Sequence, residues 1–381
     1  MNRETENRIQ EYLEYLLDNS DAEHPMWNKE LIYDKKPNKW NYIDGCMITA
    51  LLSMYDISGE DRYFNFAKAF VDYFVQEDGS IKTYDVHEFN LDNINTASNL
   101  FFLYDKTGEE KYKKALDLVR TQLDGMPRTK EGSFWHKNIY PNQVWLDGLY
   151  MAQPFYMRYE TKFNRMENCQ DVIHQFKNVE KYMRDPVTGL YYHGYDASRS
   201  VFWADPVSGC SKNVWLRAVG WFATALADLL EIVDEPEALA RLTPIFTELM
   251  ANIARYADRD TGMYYQVVDQ GGREGNYLET SGSSMIAYAM LKGARLGVLP
   301  KDYARLGKKT FDGIIRRYLK AEGEQVELGG ICLVAGLGPA DNLRRDGSYA
   351  YYISEPVVKN DAKGVAPFIM CYTEVIRALP A

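Results

Sequence analysis

Two acidic residues stand where charge is costly. Asp147 lies inside "NQVWLDGLYMAQPFYMRY" (142–159), a run otherwise aromatic and aliphatic, and Asp92 opens "DNINTAS" after Leu91. Both acids follow a leucine, and each is followed twelve residues later by a tyrosine, Tyr104 and Tyr159. The acid begins an apolar helix pattern and the tyrosine ends it, so consecutive units would set both carboxylates at one level, facing one mouth. Two carboxyls in an aromatic cleft form an acid/base arrangement, because burial favours the neutral form of one while the other stays ionised. An acid in a first helical turn also caps the helix and complements its dipole. On spacing alone capping is the better account of Asp92, and the two roles balance at Asp147. The surroundings of Asp147 favour chemistry: Trp145, Leu149, Tyr150 and, upstream, "FWHKNIYPNQ".

Basic residues fall in the same logic. "SKNVWLRAVGW" (211–221) enters an apolar helix with one arginine, Arg217, between Trp215 and Trp221. Such an arginine must pair with an internal acid or face an anionic ligand, and it binds carboxylates bidentately; the sequence leaves both open. Of the five histidines, His24, His87 and His174 read as surface residues. His136 and His193 follow aromatics in loops that the register brings to one mouth, and the His136–Lys137 pair precedes Asp147 by ten residues.

These residues must be held by helices. Most of the chain scans as helices of 12–18 residues joined by Gly/Asp/Asn/Pro-bearing loops, with strand-like patches at 189–196 and 262–269. "YDISGEDRY" (55–63) recurs as "YDKTGEEKY" (104–112), and "RDPVTGLYYHGYD" (184–196) as "DRDTGMYYQVVD" (258–269). Each first-pair segment ends an apolar helix, turns at Gly59 or Gly108 and opens an amphipathic one. Helices apolar on all sides (roughly 43–55, 93–104, 145–158, 215–230 and 283–296) must be covered all round, whereas the amphipathic helices between them cover one side. An inner ring wrapped by an outer ring satisfies both. We therefore expect an all-α fold, an (α/α)6 barrel of about six hairpins forming one domain over 1–381, with Pro154 kinking an inner helix.

Composition narrows the function. A net charge of −10 and pI near 5.2 argue against nucleic acid as partner. Twenty-nine tyrosines and seven tryptophans suit grooves that hold sugars. The cysteines, Cys46, Cys169, Cys210, Cys332 and Cys371, are scattered and read as reduced core residues. The N-terminus is charged, without the apolar core of a signal peptide, and no apolar run reaches the ~18 residues of a membrane span. A cytoplasmic protein with no membrane partner is expected. Phosphate-loop, dinucleotide, zinc-protease and serine-elbow motifs are missing, so the expected chemistry is acid/base with no cofactor and no metal.

"FWHKNIYPNQVWLDGLYMAQPF", "GLYYHGYD", "WLRAVGW", "LETSGSSMIAYAM" and "GSYAYYISEPVVKNDAKGVAPF", with "LDNINTAS" ahead of them, make the chain resemble glycoside hydrolase family 105, the unsaturated rhamnogalacturonyl (uronyl) hydrolases, over nearly its whole length. The resemblance implies an (α/α)6 barrel. It implies Asp147 as general acid/base, Asp92 as second acid, and His193, Trp215 and Arg217 as substrate contacts. His136 and Lys137 join them, and Trp40 and Tyr42 of "KWNY" would line the same pocket. Ala218 stands where many members have glycine. The implied substrate is a small oligosaccharide from pectin lyase action, with a C4=C5 double bond in its terminal galacturonyl ring. Protonation at C4 and attack of water at C5 give a hemiketal whose opening releases the next sugar, unlike the displacement of ordinary glycosidases. The alternatives are an unsaturated glucuronyl hydrolase and a non-catalytic carbohydrate-binding toroid. A sugar epimerase would want histidines on the inner helices, and the inner runs hold none. A monomer is the expectation for a closed toroid.

Overall fold

Helices with no polar face dictate the architecture. In the computed structural model, which describes residues 3–378 other than 324, three helices are each buried at fourteen positions: α10 (Leu216–Ile232), α12 (Thr280–Arg295) and α15 (Ala362–Arg377). The ends of the expected 1–381 domain, with residue 324, lie outside the described residues. By contrast α13 (Asp302–Tyr318) is buried at five of its 17 residues, along one stripe. The first kind must be surrounded and the second can only cover, so two concentric layers result.

The inner layer runs α3 (Tyr42–Ser58), α5 (Asp92–Asn95) with α6 (Ser98–Thr107), α8 (Leu146–Phe163), α10, α12 and α15, and α15 packs back on α3 to close the ring. The outer layer is α1 (Arg3–Asp18), α4 (Asp61–Phe74), α7 (Glu110–Gly125), α9 (Cys169–Met183), α11 (Pro236–Ala254) and α13. Two short helices, α2 (Lys29–Asp34) and α14 (Tyr349–Ser354), lie in the long loops. The repeat at 55–63 and 104–112 is one turn used twice. Gly59 and Gly108 take φ of 70° and 69°, and each donates its N–H to a tyrosine carbonyl, Tyr55 or Tyr104, at 2.8 Å. Only glycine adopts that left-handed closure without strain.

Two features depart from the expected helices. The run expected at 93–104 is two pieces, with hydrogen bonds tightened to i→i−3 through Ile94, Ala97, Asn99 and Leu100. The sixth inner helix, α15, was outside the five apolar runs because it carries Lys363 and Glu374, both buried. Lys363 is neutralised by Glu30 at 2.6 Å and Asp361 at 3.1 Å, and Glu374 by Arg295 at 2.7 Å. Helix α8 continues through Pro154. All five cysteines are buried and free, and among the described residues no helix is long and apolar enough to cross a membrane.

The ends where inner helices begin are stitched by short antiparallel pairs: β1 (Gln143–Trp145) with β2 (Gly194–Asp196), β3 (Leu319–Glu322) with β4 (Gln325–Leu328), and β5 (Ile331–Cys332) with β6 (Val357–Val358). One bond recurs around the ring. The first residue of an inner helix, or the one before it, donates its N–H to the loop of the next hairpin: Leu91 to His136, Leu146 to His193, Leu216 to Gln266, Thr280 to Gly330. This stitching positions the site.

Candidate active site

The recurrent bond pairs each loop residue with the residue that follows the donor. After Leu91, Leu146 and Leu216 come Asp92, Asp147 and Arg217; opposite them stand His136, His193 and Gln266. Register alone therefore brings His136 to Asp92 and His193 to Asp147. His136 Nε2 lies 3.5 Å from Asp92 Oδ1, and His193 Nε2 lies 3.3 Å from Asp147 Oδ2. Equivalent histidines thus meet equivalent acids in consecutive hairpins.

The two acids differ in everything else. Lys137 Nζ holds Asp92 Oδ2 at 2.6 Å. Burial pushes the Asp92 carboxyl up, but the charges of Lys137 and His136 outweigh it and keep the group below the ordinary aspartate value. Lys137 is raised in turn: burial lowers it and the Asp92 charge and hydrogen bond overcome that. Asp92 is therefore an ionised carboxylate. Among the described residues Asp147 has no lysine or arginine within salt-bridge reach, only His193 beside it, and its buried Oδ2 accepts no hydrogen bond. Both side chains remain partly open, at 12% and 14% exposure.

Aromatic rings fix the two histidines. His136 stacks on Trp145 at 4.3 Å, with Tyr140 beyond it at 6.3 Å. Burial drives its pKa down to about 4 against the pull of Asp92, so its imidazole is neutral near pH 7. His193 is fully buried, packs against Trp215 at 4.7 Å, and places Nδ1 2.7 Å from the Tyr352 hydroxyl. Burial raises the Tyr352 phenol well above the usual range, with Tyr351 and Asp147 adding to it. A hydroxyl that donates to Nδ1 leaves Nε2–H facing Asp147. Nε2 of His193 and Nε1 of Trp215 are buried without a hydrogen-bond partner among the described residues.

The remaining expected residues are placed as follows. Tyr42 is half-buried and meets Trp221 edge-on at 6.5 Å. Burial raises its phenol, as do Glu30, Asp92 and Asp147, against the opposing charge of Arg217, so it stands in the field of both acids. Trp40 is 2% exposed, donates its indole N–H to Asn93 O at 2.8 Å and packs edge-on to Phe74. It braces the turn that carries Asp92. Arg217 is engaged by the protein: Nε donates to Ser281 Oγ at 2.7 Å, Nη2 to Cys332 O and Nη1 to Leu333 O, while Glu279 lies 3.7 Å away. Of the options left open by the sequence, internal pairing is the arrangement present.

Two further residues, outside the sequence expectations, stand at the site. Gln266 sits where His193 sits one hairpin earlier, its Nε2 on Tyr352 O at 3.2 Å and its buried Oε1 without a partner among the described residues. The repeat of "YYHG" as "YYQV" contains that signal. Tyr352 comes from α14, 159 positions beyond His193, and no spacing announces it.

Comparison with known proteins sets this geometry in a family. The sequence model described as Glycosyl Hydrolase Family 88 matches residues 18–379. A solved glycoside hydrolase from family 105 of C. acetobutylicum ATCC 824 is 40% identical, covering 97% of this chain and 100% of that one at a TM-score of 0.87. The chain belongs to glycoside hydrolase family 88/105. Members of family 88/105 share the helical barrel found here, and the chain is an enzyme of the unsaturated uronyl hydrolase type. Protein Atu3128 of Agrobacterium fabrum (strain C58 / ATCC 33970) is 42% identical over 229 residues, 59% of this chain and 97% of that protein. The unsaturated rhamnogalacturonyl hydrolase YesR of Bacillus subtilis (strain 168) is 26% identical over 264 residues, 68% of this chain and 72% of that protein.

Proposed function

We propose that this family 88/105 enzyme, one catalytic unit acting as a monomer, removes a 4,5-unsaturated galacturonyl residue from the non-reducing end of small rhamnogalacturonan lyase products. The observation that carries the mechanism is the unequal partnering of two register-equivalent acids. Asp92 is held as an anion by Lys137, whereas Asp147 faces the mouth with His193 alone.

Asp147 donates its proton to C4 of the enol ether, and the electron pair of the C4=C5 bond forms the new C–H bond. The cation left at C5 is shared with the ring oxygen and stabilised by the Asp92 carboxylate. Asp147, now ionised, takes a proton from the water that adds to C5. The C5 hemiketal opens to a ketone, and the hemiacetal freed at C1 collapses to expel the neighbouring sugar. His193, oriented by Tyr352, directs Asp147. Trp215, Tyr42 and His136 shape the pocket. Lys137 is the more open of the candidate cations for the substrate carboxylate, with 22% exposure against 2% for Arg217. The galacturonyl preference is supported by the name of YesR.

The test is a panel of unsaturated galacturonyl-rhamnose and unsaturated glucuronyl disaccharides, followed by loss of the ultraviolet absorbance of the conjugated double bond. Faster turnover of the galacturonyl substrate is expected. A preference for a glucuronyl substrate would overturn the substrate assignment, and no loss with any substrate would overturn the reaction.

A further inference from the structure

We propose that the barrel holds a second ligand site, at the mouth opposite the two acids, for a small hydroxylated monocarboxylate about one sugar ring in size. A cavity of about 380 Å³ opens there, lined by residues of all six inner helices, Asp56, Glu231, Lys292 and Arg377 among them in last turns. That volume lies in the range of small-molecule sites, ~300–1,000 Å³. Aromatic rings stand between it and the acids. Trp221 meets Tyr42, on the side of Asp92 and Asp147, and stacks at 4.7 Å on Tyr150, which lines the cavity.

The lining chooses the ligand. Acids on the wall already have cations: Lys292 lies 2.7 Å from Asp228 and 2.6 Å from Glu231, and Arg377 lies 2.8 Å from Asp56. Lys292, Arg295 and Arg377 stand in the last turns of α12 and α15, where they also answer the negative ends of those helices. One lining cation is left over. Arg158 has no carboxylate within 4.0 Å and donates no side-chain hydrogen bond among the described residues; its guanidinium rests 5.9 Å from the Phe101 ring centre. A partly buried guanidinium without an anion is a fork for a single carboxylate. The Tyr150 and Tyr288 rings offer apolar faces, and the partly exposed hydroxyls of Ser53 and Ser98 offer polar edges, which suits a hydroxylated ring.

The experiment is calorimetric titration of D-galacturonate, with D-galactose as the uncharged control, into the full chain and four variants. We expect saturable galacturonate binding with a component that Arg158→Gln and the cavity-filling Ser98→Phe each weaken at least tenfold and that persists in Asp147→Asn and Lys137→Met. Galactose should bind at least tenfold more weakly. No saturable binding, binding indifferent to both Arg158→Gln and Ser98→Phe, or binding lost with Lys137→Met would each overturn the proposal. Because the readout is binding and not turnover, it stands or falls independently of the hydrolase reaction.

Discussion

Asp92 and Asp147 occupy one position of one repeat, yet their neighbours fit them for different tasks in the proposed reaction. What differs is a lysine. Lys137 supplies the charge that keeps the buried Asp92 ionised. In Lys137→Met, burial acts with only His136 to oppose it, and the Asp92 carboxyl rises. The sign follows: an acid held low stays ionised to low pH, so raising it makes Asp92 neutral at a higher pH. We expect the acid limb of the kcat/KM profile to shift upward in this variant, with kcat falling about 10- to 100-fold at pH 6. A profile of unchanged shape would show that Lys137 serves only to bind substrate.

At the scale of elements, the site is assembled by loops that stitch consecutive hairpins, and Arg217 belongs to that scaffold. It ties α10 to Ser281 at the start of α12 and to Cys332 in β5, close to Glu279, which is fully buried. Removing one partner of a buried pair costs about 3–5 kcal/mol, because the other charge remains without compensation. Arg217→Ala should therefore lower stability by about that amount in denaturant unfolding. Unchanged stability with a raised KM would instead return Arg217 to the role of substrate clamp. The same elements explain what could be read from the chain. The Gly59 and Gly108 turns were legible because their chemistry is local, and the Asp92/Asp147 register was legible because the repeat carries it. The break between α5 and α6 was not. A Cβ on Gly45 would come within 2.7 Å of the Thr96 backbone, so α3 and this turn approach through a glycine 51 positions away in sequence. Helix α15 was hidden because its charges are cancelled by residues on other elements. Tyr352 was hidden because its partner His193 is distant in sequence.

Across the whole molecule, the closed ring keeps a neutral histidine buried, and this has a price in acid. His136 titrates near 4 in the fold, because burial outweighs the Asp92 charge, and near 6.5 when unfolded. Between those values the unfolded chain binds the extra proton, so stability falls as pH drops from about 6.5 to about 4, by up to ~3 kcal/mol. Above 6.5 neither state is protonated and the effect vanishes. Asp92 adds a further loss below the ordinary aspartate value, as its anion is neutralised. Melting temperatures of wild type and His136→Gln across pH 4–8 should converge toward the acid end, with a flatter slope in the variant. Parallel curves would mean that His136 is charged in the fold.

The proposed reaction turns on Asp147 moving the proton to and from the double bond, and replacing its carboxyl with an amide removes that proton. Loss of ultraviolet absorbance from unsaturated galacturonyl-rhamnose is followed with equal amounts of wild type and Asp147→Asn, each shown by circular dichroism and melting to be folded. General acid/base groups contribute ~10²–10⁴ in rate. In the proposed reaction one carboxyl serves both proton transfers, so rapid loss is expected with wild type and a fall of at least about 10³ in kcat for the variant. An Asp147→Asn enzyme that consumes the double bond at a rate near wild type would contradict it.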